Sequence, residues 1–257
     1  MSVNFCFIGA GNLATHLSKA LYDNGFNILQ VYSRTEQSAK KIAEIFSSKY
    51  TTSVSEIDKT ADIYIVALKD FAVDKVLAQI NFNNKLVVHC SGSLPLSALK
   101  RYSENFGVLY PLQTFSKERD VDFKEIPIFI ESNSVINEEL LLYVGSKISK
   151  SVSVLNSEKR IALHISAVFA CNFVNHFYTI AADILKSKDI QFDVLKPLIL
   201  ETAKKVQEIA PKMAQTGPAV RFDENIINAH LHELNDFGHY RQLYMSVSKS
   251  IFEHYNK

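Results

Sequence analysis

The sequence predicts an α/β protein, a doubly wound parallel sheet followed by an all-α C-terminal domain. Three observations carry this. Over residues 1–156 short apolar runs alternate with segments of helical spacing. Alternating strands and helices require crossover connections, and therefore parallel pairing. From Ser157 no strand alternation is visible, and neither Gly nor Pro occurs until Pro197. Between the first apolar run and the first helical segment stands Gly9-x-Gly11-x-x-Ala14. The expected division is 1–156 for the α/β domain and 157–257 for the helical one.

Element by element, Val3–Ile8 reads as a buried strand. Asn12–Asp23 reads as a helix (Leu13, His16, Leu17, Ala20, Leu21), closed by Gly25 where a left-handed residue is wanted. Ile28–Tyr32 is the next strand and Glu36–Phe46 an amphipathic helix. Ala61–Leu68 and Lys85–Cys90 are further strands, each followed by helix, with Asp70 expected to cap the helix Phe71–Ile80. Gly107–Tyr110, Pro127–Ile130 and Val152–Leu155 complete the strands. Two or three long helices follow, broken at Pro211–Pro218. Helices then run to the end from Asp223, an expected N-cap.

Composition excludes several classes. In 257 residues, 47% hydrophobic and 21% charged is globular rather than disordered. Net charge is +1 with no long basic run, so nucleic acid is not an expected partner. Three scattered cysteines without CxxC spacing point to a reducing compartment, with no disulfide scaffold or zinc ribbon. No uninterrupted apolar run approaches the ~20 residues of a membrane helix. The chain starts directly as a strand, which leaves no room for a signal peptide. A cytoplasmic protein is expected. The eight glycines are about 3% of the chain, against a usual ~7%. Gly9 and Gly11 are two of them.

That pair has a physical use in a Rossmann-type domain. Gly9 permits a tight turn, Gly11 lets a pyrophosphate approach the backbone, and Ala14 lets helix and strand pack closely. The helix N-terminus supplies free N–H groups. Gly9, Ala10, Gly11, Asn12 and Leu13 are the candidate phosphate residues. After the second strand the sequence reads Ser33-Arg34-Thr35, without the acidic residue that usually bonds an NAD ribose. A guanidinium can pair a 2′-phosphate through two charge-assisted bonds, which favours NADP. The other reading is a solvated Arg34 with Thr35 capping the next helix. The backbone around Leu68 lies at a strand's carboxyl end, where open α/β sheets bind ligands.

At the same edge stands His89-Cys90-Ser91-Gly92-Ser93. A Cys–His nucleophile is disfavoured, because adjacent strand residues point to opposite faces. Ser91 is a candidate neighbour of the cofactor, and Ser93 a candidate helix cap. Tyr110-Pro111-Leu112-Gln113-Thr114-Phe115 is either a substrate lip or an ordinary loop. On the long helix, at ~100° per residue, His164, Val168, Asn172, Asn175, His176 and Thr179 fall within roughly a third of the circumference. The other faces are apolar, so the helix is expected to be buried. The stripe then either bonds other helices or lines a pocket. No metal is expected, because His164 and His176 are twelve apart rather than four. His230 and His232 diverge on their helix. Arg221 reaches either an anion or a neighbouring helix.

The start FCFIGAGNLATHL, with SRT after the second strand, resembles pyrroline-5-carboxylate reductase and the deazaflavin-dependent NADP reductases. From Phe5 to about Leu234 the chain looks closest to a family described as NADP oxidoreductases. That family pairs a Rossmann-like domain with a C-terminal helical domain of unknown function. HCSGSLPLSAL (89–99), YPLQTF (110–115), ACNF (170–173) and TGPAVRFDENIINAHL (216–231) carry this likeness. The resemblance implies NADP binding, a helical domain of the 6-phosphogluconate-dehydrogenase C-terminal type, homodimerisation through it, and an active site in the interdomain cleft. It also implies a departure. The β-hydroxyacid dehydrogenases carry a catalytic lysine one turn before an asparagine. If Asn172 is that asparagine, Val168 stands at the lysine position.

The expected function is NADP-dependent hydride transfer to a small carbonyl, imine or second redox cofactor. His164, Asn172 and His89 are the catalytic candidates. A histidine suits a general acid because its unperturbed pKa is ~6.5. The alternative is an NADP-binding sensor or scaffold without turnover.

Overall fold

Strand β1 (Asn4–Ile8) shows why this sequence makes a sheet covered on both sides. Phe5 and Phe7 enter one apolar cluster, with Leu17, Leu21 and Ile42, while Cys6 and Ile8 enter another, with Tyr64, Leu77 and Val87. Period-2 alternation between two cores makes the whole strand read as apolar. The computed structural model describes residues 3–256. The remaining strands are β2 (Asn27–Tyr32), β3 (Lys49–Thr51), β4 (Ile63–Val66), β5 (Leu86–His89), β6 (Phe106–Pro111), β7 (Ile128–Ser132) and β8 (Val152–Val154). The sheet order is β3-β2-β1-β4-β5-β6-β7-β8. The order reverses at β1, so the carboxyl ends of β1 and β4 form the switch point where such sheets take ligands.

Every neighbouring pair is parallel except β6 and β7. The all-parallel expectation needs this one correction. Residues 112–127 hold no crossover helix, only the 3₁₀ turn Phe123–Glu125, so the chain turns back and pairs antiparallel. Helices α1 (Asn12–Asp23), α2 (Glu36–Phe46), α3 (Asp70–Leu77) and α4 (Val135–Ile148) cover the sheet. Asp70 does not cap α3. The helix starts at Asp70 itself, with Lys69 as an N-cap that makes no side-chain bond. Nor does Ser93 cap a helix, because Ser91 Oγ takes the N–H groups of Ser93 and Leu94, at 3.0 and 3.1 Å.

The long C-terminal helix has three parts: α5 (Ser157–Ala167), a π-helical stretch Val168–Phe173, and α6 (Val174–Lys186). The chain forms two compact units, the first ending at Cys171 and the second beginning at Asn172. The second contains α6, α7 (Lys196–Glu208), the short α8 (Pro211–Ala214) and α9 (Pro218–Arg221), α10 (Glu224–Glu233) and α11 (Gly238–Tyr255). Asp223 caps α10, accepting from the N–H of Ile226 at 3.3 Å. Ile180, Ala219, Ile227, Leu231 and Leu234 are its buried apolar residues. Tyr240 donates to Asp183 at 2.6 Å.

Two expectations about the long helix fail. By length and composition Ser157–Lys186 is apolar enough to cross a membrane, yet none of its most apolar 18-residue stretch is buried. Only Arg160 of α5 and Ile180 of α6 are buried, so within one copy of the chain most of this helix lacks an apolar cover. The polar stripe computed at 100° per residue also breaks. The π-helical turn is wider than an α-turn, so residues beyond it rotate out of register with His164.

Candidate active site

The first unit holds two clusters at the carboxyl edge of its sheet. The first is the glycine turn. Gly9 has φ +120°, and a Cβ there would lie 2.3 Å from the Ala67 carbonyl oxygen, so only glycine fits. At Gly11 a Cβ would meet nothing within 4 Å, which leaves open space beside the backbone. No side chain caps α1 and no acid lies in its first turn, so its leading N–H groups are available to an anion. Leu68 packs against Gly9 from the end of β4. Beyond β2, Ser33 Oγ accepts from the Thr35 N–H at 3.3 Å. Thr35 makes no side-chain cap. Arg34 is exposed and makes no hydrogen bond or ion pair among the described residues.

The second cluster joins motifs far apart in sequence. The Tyr110 hydroxyl, at the end of β6, lies 2.9 Å from His164 Nδ1 on α5. Gly92, in the loop after β5, backs onto the same imidazole, where a Cβ would stand 2.4 Å from His164 Cγ. Beneath them Arg160 is fully buried. Its Nη1 donates to the carbonyls of Ser91 and Leu94, at 2.7 and 2.8 Å. Its Nη2 donates to Glu131 Oε2 and to Ser157 Oγ, both at 3.1 Å. Glu131 in turn takes the Ser157 N–H and O–H, at 2.8 and 2.7 Å. A buried ion pair offsets its desolvation only through added hydrogen bonds, which here reach both Nη atoms while the buried Nε has no partner among the described residues.

These contacts set the local protonation. His89 is 1% exposed, and its Nδ1 accepts from the Ser91 N–H at 3.2 Å. Burial and then the nearby Arg160 charge push its pKa down to about 3, so the ring is neutral and its proton sits on Nε2. Burial pushes the Cys90 thiol up to about 12, which leaves no thiolate to act as a nucleophile. Burial also raises Tyr110, and the positive Arg160 works against that rise.

The structure thus brings Tyr110, His164 and the Ser91–Gly92 loop together. His89 lies under that loop, and Asn172 is exposed on the π-helical stretch. Arg221 is exposed as well. The sequence reading passed over Arg160 and Glu131. One signal was available for the first: Arg160 and His164 are four apart and share a helix face.

Residues 4–92 match the family described as NADP oxidoreductase, coenzyme F420-dependent. Residues 126–251 match a domain of unknown function, DUF2520. Among solved structures, a Bacteroides fragilis protein assigned by inference as an NADP oxidoreductase is 49% identical, with TM-score 0.94 over 98% of both chains. An imine reductase from Myxococcus stipitatus, solved with NADP+, is 16% identical, with TM-score 0.68 over 97% of this chain and 92% of that one. A 1-pyrroline-5-carboxylate reductase from Streptococcus pyogenes is 15% identical, with TM-score 0.64 over 99% and 98%. These last two establish the fold. No curated protein matches the chain. Sheet, glycine turn and helical unit define the class as a Rossmann-type domain followed by a helical domain, the NADP oxidoreductase fold. Within that class the chain belongs to the family of the Bacteroides fragilis protein.

Proposed function

We propose that the protein is an NADP-dependent reductase of a small imine or carbonyl compound, with His164 as proton donor and Tyr110 as its partner. The family is NADP-dependent, and the residues present fit the cofactor. The backbone of Gly9–Leu13 would hold the pyrophosphate, and Ser33, Arg34 and Thr35 the 2′-phosphate. Leu68 and Ser91 would border the nicotinamide end. NADPH, when bound, supplies the hydride.

The observation that carries the proposal is the Tyr110–His164 pair seated on the Gly92 loop. When the Tyr110 O–H donates to Nδ1, a neutral His164 ring keeps its proton on Nε2. That nitrogen makes no hydrogen bond among the described residues. A substrate nitrogen or oxygen gaining negative charge would take that proton while the Tyr110 proton passes to Nδ1, so the ring ends neutral and the charge comes to rest on the Tyr110 oxygen, where the Arg160 charge favours it. His89, buried and neutral, serves the Ser91 loop rather than the substrate.

We further propose a cytoplasmic homodimer in which a second copy covers the apolar faces of the long helix. Asn172, Asn175 and His176 in mid-helix argue against a lipid environment, where polar side chains are costly.

The test is a fluorescence titration with NADPH and NADH on wild type and Arg34→Ala, followed by NADPH oxidation against an imine and carbonyl panel. Wild type should bind NADPH more tightly, the preference should vanish in Arg34→Ala, and His164→Ala should lose ~10²-fold or more in kcat. Equal affinity for the two nucleotides would overturn the NADP assignment. Tight NADPH binding with no oxidation of any panel member would favour the sensor reading, to which the valine at position 168 lends support.

A further inference from the structure

Residues 112–117, leaving β6, are fastened at three points to the glycine turn and to helix α1 that follows it. Asn12 Nδ2 donates to the Phe115 carbonyl at 2.8 Å, and His16 Nε2 bonds the Ser116 carbonyl at 2.8 Å. Lys117 Nζ reaches the Ala10 carbonyl at 3.4 Å. The strap is anchored from below as well. The Phe115 ring stacks on His16 at 5.4 Å and on Phe123 at 6.0 Å, and packs against the core.

A dinucleotide pyrophosphate carries two negative charges. Residues 9–15 (Gly-Ala-Gly-Asn-Leu-Ala-Thr) offer it backbone N–H groups and a helix N-terminus, but no cationic side chain. Arg34 stands at the end of β2, the position of the adenosine ribose in this class of site. The strap brings in the missing cation. Lys117 makes no ion pair among the described residues. Of the acids near it in sequence, Asp120 faces Lys19 at 3.7 Å and Glu118 is exposed. The ammonium therefore rests on the carbonyl of Ala10, within the glycine turn and next in sequence to Gly11, where a Cβ would meet open space.

We infer that Lys117 is a cofactor-binding residue that contacts the pyrophosphate of the bound dinucleotide, delivered there by the 112–117 strap. This rests on the nucleotide reading above and extends it to a residue outside the glycine motif. Because NADPH and NADH share the pyrophosphate, Lys117 should not discriminate between them, whereas Arg34 should.

The experiment is the same fluorescence titration on the full chain, comparing wild type, Lys117→Ala and Lys117→Arg at two salt concentrations. Lys117 is exposed, so the alanine variant should keep the wild-type melting temperature. Expected is a roughly five- to tenfold weaker Kd for NADPH and NADH alike in Lys117→Ala, recovered in Lys117→Arg. The salt dependence of the alanine variant should also be shallower. Unchanged affinity would overturn the inference and leave the nucleotide reading standing. A loss confined to NADPH would also overturn it, by placing the lysine at the 2′-phosphate. Wild type binding neither nucleotide would end both readings.

Discussion

His89 couples the folded state to pH. The folded ring stays neutral down to about pH 3, while in the unfolded chain a histidine protonates near 6.5. Between those values the unfolded chain binds one proton more, so acidification favours unfolding by about 1.4 kcal/mol per pH unit. Above pH ~7 the group contributes nothing. Asn in its place can still accept from the Ser91 N–H but cannot titrate. Urea unfolding at pH 7 and pH 5 should show wild type losing about 2 kcal/mol more than His89→Asn over that interval. Equal losses would mean that His89 is protonated in the folded protein. Arg160 beside it takes its acceptors from three separate segments.

Strands, helices and loops show what was legible in the sequence. Helices α1 and α2 span the residues that their apolar spacing predicts, because local periodicity determined them. The glycine turn was legible because its chemistry needs fixed residues at fixed spacing. The Tyr110–His164 contact was not, because it joins residues 54 apart and no local pattern records that. The π-helical turn was invisible for another reason: any reading at a constant 100° assumes its absence. Strand β3, three residues long, carries too little alternation to be seen. The loop after β5 yields a prediction of its own. An alanine at Gly92 would force the His164 ring off Tyr110. Gly92→Ala should therefore cut kcat at least ~10-fold on whichever panel compound is reduced, while NADPH affinity holds. Wild-type turnover in that variant would show that the pairing is dispensable.

The assembled protein poses the question of what covers the long helix. On the long helix Ile165 and Phe177 are exposed, and exposed large apolar side chains of this kind suit a contact surface. Analytical ultracentrifugation should give twice the 29.0 kDa chain mass. Phe177→Glu should shift the species toward monomer, and a wild type that sediments as a monomer at every concentration would overturn the dimer. The buried Arg160 cluster has a consequence for how the chain assembles. Its bonds to Ser91 and Leu94 close loops of 69 and 66 residues, and its pair with Glu131 closes one of 29. Contacts across such separations form late, since chain entropy opposes them until the intervening strands are in place. A guanidinium also resists leaving water before its acceptors are ready. The first turns of the long helix therefore have nowhere to dock until β5 and β7 stand side by side with β6, so His164 meets Tyr110 among the last steps of folding.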